Sequence, residues 1–181
     1  MKLKFITCMA LALASALFTI TAAQATTAPW EGNATGAPTY NRLFMLDTVA
    51  GVGTAVAYNS FTFSVSTPGL YAFQSIAAFE NFLTLYGGSF QPAMPLLNAR
   101  ALNDDLGTLG ASGFSFTLLA NTPYIAVTTG YANTDFGQYR NAITGLGTVS
   151  FVPEPERCEL LALGLMAIGV LKRLRDDPLG R

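Results

Sequence analysis

The main candidate for cation chemistry in this sequence is a run of three oxygen-bearing side chains, Asn103, Asp104 and Asp105. Calcium prefers several carboxylate and carbonyl oxygens at flexible distances, and a loop of this composition would supply part of such a set. Glu80, Asn81 or Asp135 would add another ligand if the fold brings it near. The alternative is an Asx-type turn before Gly107, in which these side chains bond their own backbone.

A pair of carboxylates is what general acid–base hydrolysis requires, and Glu80 with Asp135 is the pair that this sequence offers. Nothing around either residue marks it, and scattered acids are more often solvated surface groups. The chain contains no His, which excludes a Ser-His-Asp triad, a Cys-His pair and imidazole metal ligands. We therefore expect a protein that is not an enzyme, has no catalytic residue and needs no cofactor.

Aromatic side chains are the third kind of candidate, because a flat ring can hold a sugar. Tyr131 lies in the turn formed by residues 130–133 and is the best placed of them to bind carbohydrate. The other rings considered are Trp30, Tyr71, Tyr86, Tyr124 and Tyr139. Alternating strands usually place such rings in the core, and we favour that interpretation for the set.

The residues around these candidates follow the pattern of β-strands. Residues 61–66 alternate apolar and polar side chains, Thr67-Pro68-Gly69 is a turn signal, and residues 70–73 begin a second strand, which together predict a hairpin. No helical period of useful length occurs between residues 26 and 152, although residues 76–82 could hold one short helical turn. Further strands are predicted at residues 81–86, 114–118, 124–129, 136–144 and 148–152.

Short strands at this spacing, rich in aromatic and β-branched residues, indicate an antiparallel sandwich or barrel. The two cysteines, Cys8 and Cys158, lie outside residues 26–152, so burial and backbone pairing alone must hold this region. The whole chain of 181 residues has 10 Lys+Arg against 11 Asp+Glu, a formal net charge of −1. Such a balance argues against a nucleic-acid partner, since phosphate binding needs clustered cations.

The first 25 residues have the layout of a secretory signal peptide. Lys2 and Lys4 precede an apolar stretch, and Ala23 and Ala25 form a small-x-small cleavage site. We expect a helical signal peptide over residues 1–25, export by the Sec machinery and cleavage after Ala25 by signal peptidase. A retained membrane helix is the alternative.

The C-terminal segment carries a second signal. Residues 160–171 are uncharged and are followed by a basic cluster, Lys172, Arg173 and Arg175. Twelve helical residues span about 18 Å, less than the hydrocarbon core of about 30 Å, so this would be a short transmembrane helix. The basic cluster would face the cytoplasm by the positive-inside rule, which agrees with export of the chain before it.

This segment begins with a Pro-Glu-Pro motif, Pro153, Glu154 and Pro155. The motif, the short apolar run and the basic cluster together resemble the PEP-CTERM sorting signal of Gram-negative bacteria over residues 152–175. The resemblance implies processing by an exosortase, a transient inner-membrane intermediate, and delivery to the cell surface or exopolysaccharide matrix. A plain C-terminal anchor is the alternative.

The central region resembles the bacterial pre-peptidase C-terminal domain, a jelly-roll-like β-sandwich. The resemblance is carried by an ordered set of short segments at residues 61–65, 67–71, 81–86, 103–105, 112–116, 123–127 and 137–139. Members of that family accompany secreted enzymes or stand alone on the cell surface, and some bind calcium or polymeric substrates. The resemblance implies the same fold here.

The sequence therefore predicts three parts: a signal peptide at 1–25, an extracellular all-β, antiparallel jelly-roll-like sandwich at 26–151, and a sorting signal at 152–181. The expected function is that of an exported, non-enzymatic surface or matrix protein with a structural or adhesive role in exopolysaccharide or biofilm. The alternative is a carbohydrate- or calcium-binding module. Ala23 and Ala25 mark the first predicted cut, and the Pro-Glu-Pro motif marks the second.

Overall fold

The computed structural model describes residues 24–152, together with the single residues Met166 and Lys172. Apart from these two single residues, the helices predicted for the signal peptide and the C-terminal segment lie outside the described residues, as does the Pro-Glu-Pro motif. Twelve strands were found: β1 Thr26–Asn33, β2 Thr39–Tyr40, β3 Leu43–Met45, β4 Thr48–Val49, β5 Val56–Val65, β6 Gly69–Ala77, β7 Asn81–Gly87, β8 Ala99–Asn103, β9 Ala111–Leu118, β10 Tyr124–Gly130, β11 Gln138–Gly145 and β12 Val149–Val152.

The strands form two main antiparallel sheets that pack face to face. The smaller sheet has the order β1-β11-β6-β9, and the larger has the order β12-β5-β10-β7-β8, with β2 added beside β5. Strands β3 and β4 form a separate two-stranded hairpin. The prediction of an all-β antiparallel sandwich is confirmed for residues 26–152.

The main core lies between the two sheets. Phe73 and Ile143 of the smaller sheet pack with Phe63, Leu85 and Tyr124 of the larger one. The rings of Phe63 and Phe73 are 5.9 Å apart across this interface. Most of the aromatic rings considered as candidates were expected to be core residues. Five of them are buried, which confirms that expectation for Trp30, Tyr71, Tyr86, Tyr124 and Tyr139.

A second core lies on the outer face of the larger sheet. Along β10, Tyr124 and Ala126 belong to the main core, and Ile125 and Val127 belong to the outer one. Tyr40 and Leu43, from the long connection between β1 and β5, cover this outer face. Strand β10 is therefore buried on both faces, which is why its sequence is nearly continuous in apolar and small residues.

The predicted hairpin of residues 61–66 and 70–73 is wrong. Strand β5 belongs to the larger sheet and β6 to the smaller, so the connection at Thr67 and Pro68 crosses from one sheet to the other. The short helical turn considered for residues 76–82 is also absent: β6 continues to Ala77, and β7 starts at Asn81 after a bend.

Tyr71 fastens two connections at one end of the sandwich. Its hydroxyl donates to the carbonyl of Thr67 at 2.7 Å and accepts from the backbone N–H of Gly147 at 2.9 Å. The ring lies against Gly145, where a Cβ atom would be 2.1 Å from a ring carbon. One side chain of β6 therefore holds the β5–β6 crossing to the β11–β12 connection.

The variant Tyr71→Phe is expected to lower the free energy of unfolding by about 2 kcal/mol, because it leaves a backbone donor and a backbone acceptor without their partner while keeping the ring. Urea unfolding followed by the fluorescence of Trp30 would measure the change. Tyr131→Phe is the matched control, since the Tyr131 hydroxyl makes no hydrogen bond to any residue in 24–152. Equal losses in the two variants would contradict the role given to Tyr71.

Candidate functional site

Four connections meet at one end of the sandwich, and we call this region the loop end: residues 34–55, 78–80, 104–110 and 131–137. Backbone hydrogen bonds tie them together. The N–H of Tyr131 donates to the carbonyl of Glu80 at 2.8 Å, and the N–H of Ala34 donates to the carbonyl of Gly137 at 2.9 Å. The carbonyl of Gly110 accepts from Ala77 at 2.8 Å. The connections therefore form one surface.

The loop end contains the site residues that the sequence predicted in the central region. Asn103 ends β8, and Asp104 and Asp105 follow it into the next connection, while Glu80, Tyr131 and Asp135 lie in neighbouring connections. The fold thus brings these residues to one end, as a calcium site would need. Within residues 24–152, however, no three Asp, Glu, His or Cys side chains are arranged to hold a metal ion.

The best-defined polar contacts at the loop end are hydrogen bonds that side-chain oxygens accept from backbone N–H groups. Asp135 accepts from the N–H of Ala132 through Oδ2 at 2.8 Å, and its own N–H donates to the carbonyl of Ala132 at 3.0 Å. Asn103 accepts from the N–H of Gly113 through Oδ1 at 3.3 Å. Asp135 therefore stabilises the turn that carries Tyr131, and Asn103 ties β8 to β9 of the opposite sheet.

Tyr131 is half-buried because a cation covers one face of its ring. The guanidinium carbon of Arg42 lies 4.1 Å from the centre of the Tyr131 ring and 4.6 Å from the centre of the Phe82 ring. Arg42 also donates through Nε to the carbonyl of Tyr131 at 2.7 Å and through Nη1 to the carbonyl of Leu43 at 2.8 Å. The ring predicted to bind a sugar is thus part of a packed cluster.

Arg42 is 1% exposed. Its charge faces two carbonyl oxygens and two aromatic rings, which stabilise a guanidinium by dipole and cation–π interactions. Gly53 packs against it with a φ of +81°, and a Cβ there would lie 2.5 Å from the carbonyl oxygen of Tyr131. That close approach requires glycine. No local pattern in the sequence marks Arg42 as a core residue.

A second concave region, which the sequence did not predict, opens at one edge of the sandwich. We call it the edge cleft, and it has a volume of about 450 Å³. It lies where β1 of the smaller sheet faces β5 and β12 of the larger one. The residues that line it include Glu31, Gly32, Asn59, Phe61, Tyr139 and Phe151.

In the part of the chain that the structure describes, no helix is both long enough and apolar enough to span a membrane.

No protein-family model matches this chain. A search of curated proteins returns no match either. Among solved structures, the chain is similar to the pre-peptidase C-terminal domain of collagenase from Bacillus anthracis. The two are 14% identical with a TM-score of 0.41, and the similarity covers 65% of this chain and 88% of that one. The fold described above, two packed antiparallel sheets, is what the structure itself shows for residues 26–152.

Proposed function

We propose that this protein is an exported, non-enzymatic surface or matrix protein, in which a jelly-roll-like sandwich is delivered by a PEP-CTERM-type sorting signal. Its role is structural or adhesive, in exopolysaccharide or biofilm around a Gram-negative cell. The observation that carries the proposal is the position of the sandwich between the two predicted cuts. Strand β1 begins at Thr26, and β12 ends at Val152.

Both predicted cuts would leave every strand intact. Cleavage after Ala25 would make Thr26 the first residue, and Thr26 is already held by a hydrogen bond from Oγ1 to the carbonyl of Gly147 at 2.7 Å. At the other end, Val152 pairs with Thr62 of β5, and Pro153 follows directly. Proline has no N–H and is confined in sheets to edges, strand ends and bulges, so it suits a boundary between a folded unit and a processing site.

The proposal implies a defined set of partners. The Sec machinery and signal peptidase would act on the N-terminal segment, and an exosortase would act at the Pro-Glu-Pro motif while the basic cluster holds the chain transiently in the inner membrane. The mature sandwich would then contact exopolysaccharide. Within this proposal the function needs no metal or cofactor.

Mass spectrometry of the protein released by its producing cell tests the proposal. We expect an N-terminus at Thr26 and the loss of residues 160–181. The double variant Pro153→Ala/Pro155→Ala should keep residues 160–181, because the motif is destroyed while no strand of the sandwich is touched. Pro178→Ala, which lies beyond the basic cluster, is the matched control and should be processed normally. An intact C-terminus in the released wild-type protein would refute processing.

The second candidate function is that of a carbohydrate-binding module, and the observation that favours it is the edge cleft.

A further inference from the structure

The edge cleft has an aromatic floor. Trp30, Phe61 and Phe151 contact one another, with ring centres 5.5 Å apart for Trp30 and Phe61 and 5.6 Å for Trp30 and Phe151. Trp30 is buried, Phe61 is half-buried, and Phe151 is 38% exposed. The cluster therefore passes from the core to the surface and offers an aromatic face at the edge of the sandwich. Aromatic faces of this kind pack against the C–H face of a sugar ring.

Neutral polar groups stand beside this floor. The hydroxyl of Tyr139 donates to Oδ1 of Asn59 at 3.2 Å, which joins the two sheets across the cleft. The Tyr139 hydroxyl is protonated at neutral pH, as an ordinary tyrosine is, and burial raises its pKa further. The amide nitrogen of Asn59 makes no hydrogen bond to any residue in 24–152. An amide donor of this kind pairs with the hydroxyls of a sugar.

Gly32 leaves room for the Tyr139 ring beside the cleft. A Cβ at this position would lie 2.1 Å from the Tyr139 hydroxyl oxygen, so any larger residue would displace the Tyr139 ring from its place against β1. The ring can therefore reach Asn59 of the opposite sheet only because position 32 is glycine.

The charge at the cleft is balanced. Glu31 is the one charged residue of its described lining, and it forms an ion pair with Nε of Arg140 at 2.8 Å. An anionic ligand would find no unpaired cation there. A volume of about 450 Å³ falls within the range of about 300–1,000 Å³ that small-molecule sites occupy. The cleft thus suits a neutral ligand with one apolar face and several hydroxyls.

We propose that the edge cleft is a binding site for a neutral saccharide, with Phe151 and Phe61 as the stacking surface and the Asn59 amide, held in place by the buried Tyr139 hydroxyl, as the hydrogen-bonding group. The site is separate from Tyr131 at the loop end. The inference rests on the proposed function for the source of the sugar, which would be the surrounding polysaccharide, but binding itself is independent of sorting.

The chain provides its own reporter, because Trp30 is the only tryptophan in the sequence and packs beneath the two rings that line the cleft, Phe61 and Phe151. The full chain, purified in a detergent without a sugar head group, would be titrated with cellohexaose, maltohexaose and chitohexaose. We expect at least one of them to shift the emission of Trp30 with a Kd below about 1 mM, an affinity ordinary for a shallow cleft. Calorimetric titration would confirm the affinity.

Variants at the cleft locate the site. Phe151→Ala should weaken binding about tenfold, because it removes an aromatic contact surface from a partly exposed position. Asn59→Ala provides an independent test if Phe151→Ala fails to fold, and it should weaken binding several-fold through the lost amide. Leu70→Ala, at an exposed residue on β6 of the smaller sheet, is the matched control and should bind as the wild type does.

Three results would overturn the proposal. The first is the absence of any fluorescence or heat response to all three hexasaccharides up to about 10 mM, a range that covers weak binding. The second is wild-type affinity in both cleft variants, or loss of binding in Tyr131→Ala alone, which would move the site to the loop end. The third is tighter binding of an oligogalacturonate, since a neutral cleft should not prefer an anion. None of these results bears on the mass of the processed chain, so the sorting proposal stands or falls separately.

Discussion

Replacing Arg42 by alanine is expected to lower the free energy of unfolding by about 3–5 kcal/mol, because the change empties a buried site and leaves polar partners unsatisfied. The carbonyl oxygens of Tyr131 and Leu43 would each lose a donor, at distances of 2.7 Å and 2.8 Å in the wild type. The rings of Tyr131 and Phe82 would lose the cation between them. Urea unfolding monitored by far-UV circular dichroism would measure the loss.

Two further variants separate the causes. Arg42→Lys keeps a positive charge but not the planar fork, so it should show an intermediate loss. Arg140→Ala removes the solvent-exposed partner of Glu31 and should cost at most about 1 kcal/mol, as exposed ion pairs usually do. If Arg42→Ala and Arg140→Ala lowered the free energy of unfolding equally little, the contacts of the Arg42 guanidinium would not be what stabilises the loop end.

The second large effect is expected at Asn141, which lies in a row of polar and aromatic residues across the smaller sheet. Register pairs place four residues side by side on β1, β11, β6 and β9: Trp30, Asn141, Ser75 and Ser112. The indole nitrogen of Trp30 can only donate, so the amide oxygen of Asn141 must face it. In that orientation Oδ1 accepts from Trp30 at 3.2 Å and from Thr128 Oγ1 at 2.7 Å, and Nδ2 donates to Ser75 Oγ at 2.6 Å.

Asn141→Leu is therefore expected to lower the free energy of unfolding by about 3–5 kcal/mol. The change keeps the volume of the side chain but removes the group that hydrogen-bonds to Trp30, Thr128 and Ser75. The Trp30 indole would be left buried without an acceptor, and its emission should change as well. Ser112→Ala is the matched control from the same row. Its hydroxyl is buried without a partner among the described residues, so its removal should be neutral or stabilising.

A large loss in Ser112→Ala, or a negligible one in Asn141→Leu, would show that packing rather than the hydrogen-bond network stabilises this row. Urea unfolding at neutral pH, with emission spectra recorded for both variants, distinguishes these outcomes.

The positions of most long strands were accessible from the sequence. Alternation in residues 114–118 and the β-branched run in 124–129 gave strands that agree with β9 and β10 within a few residues. Strand β1 was not predicted, because Pro29 interrupts it; at the edge of a sheet the missing N–H does not interrupt the ladder. Strand β8 was missed because five residues without clear alternation carry little signal.

The sequence did not allow the pairing of the strands to be predicted. The turn signal at Thr67-Pro68-Gly69 fits a hairpin and a crossing between sheets equally well, because both need a sharp change of direction. Which of them occurs depends on whether Phe63 meets its partner within one sheet or across the core. That choice is made by packing over the whole domain rather than by the local residues.

The candidate sites also differ in whether the local sequence could predict them. The loop-end candidates could be named from the sequence because their side chains are amide or acidic groups or, for Tyr131, a ring within a turn signal. The edge cleft could not, since Asn59 and Tyr139 are 80 residues apart and look like ordinary strand residues. Arg42 is likewise buried against a distant residue, because Tyr131 lies 89 residues later in the chain.

The pairing of β1 with β11 also has a consequence for the order of assembly. Thr26 pairs with Gly145, so the first strand of the sandwich has no partner until nearly the last one is available. A chain that leaves a ribosome or a pore with its N-terminus first carries β1 as an open, unpaired edge for more than a hundred residues. Long-range pairing of this kind slows folding. The smaller sheet cannot be completed until residue 145 has emerged, although β6 and β9 can pair before then.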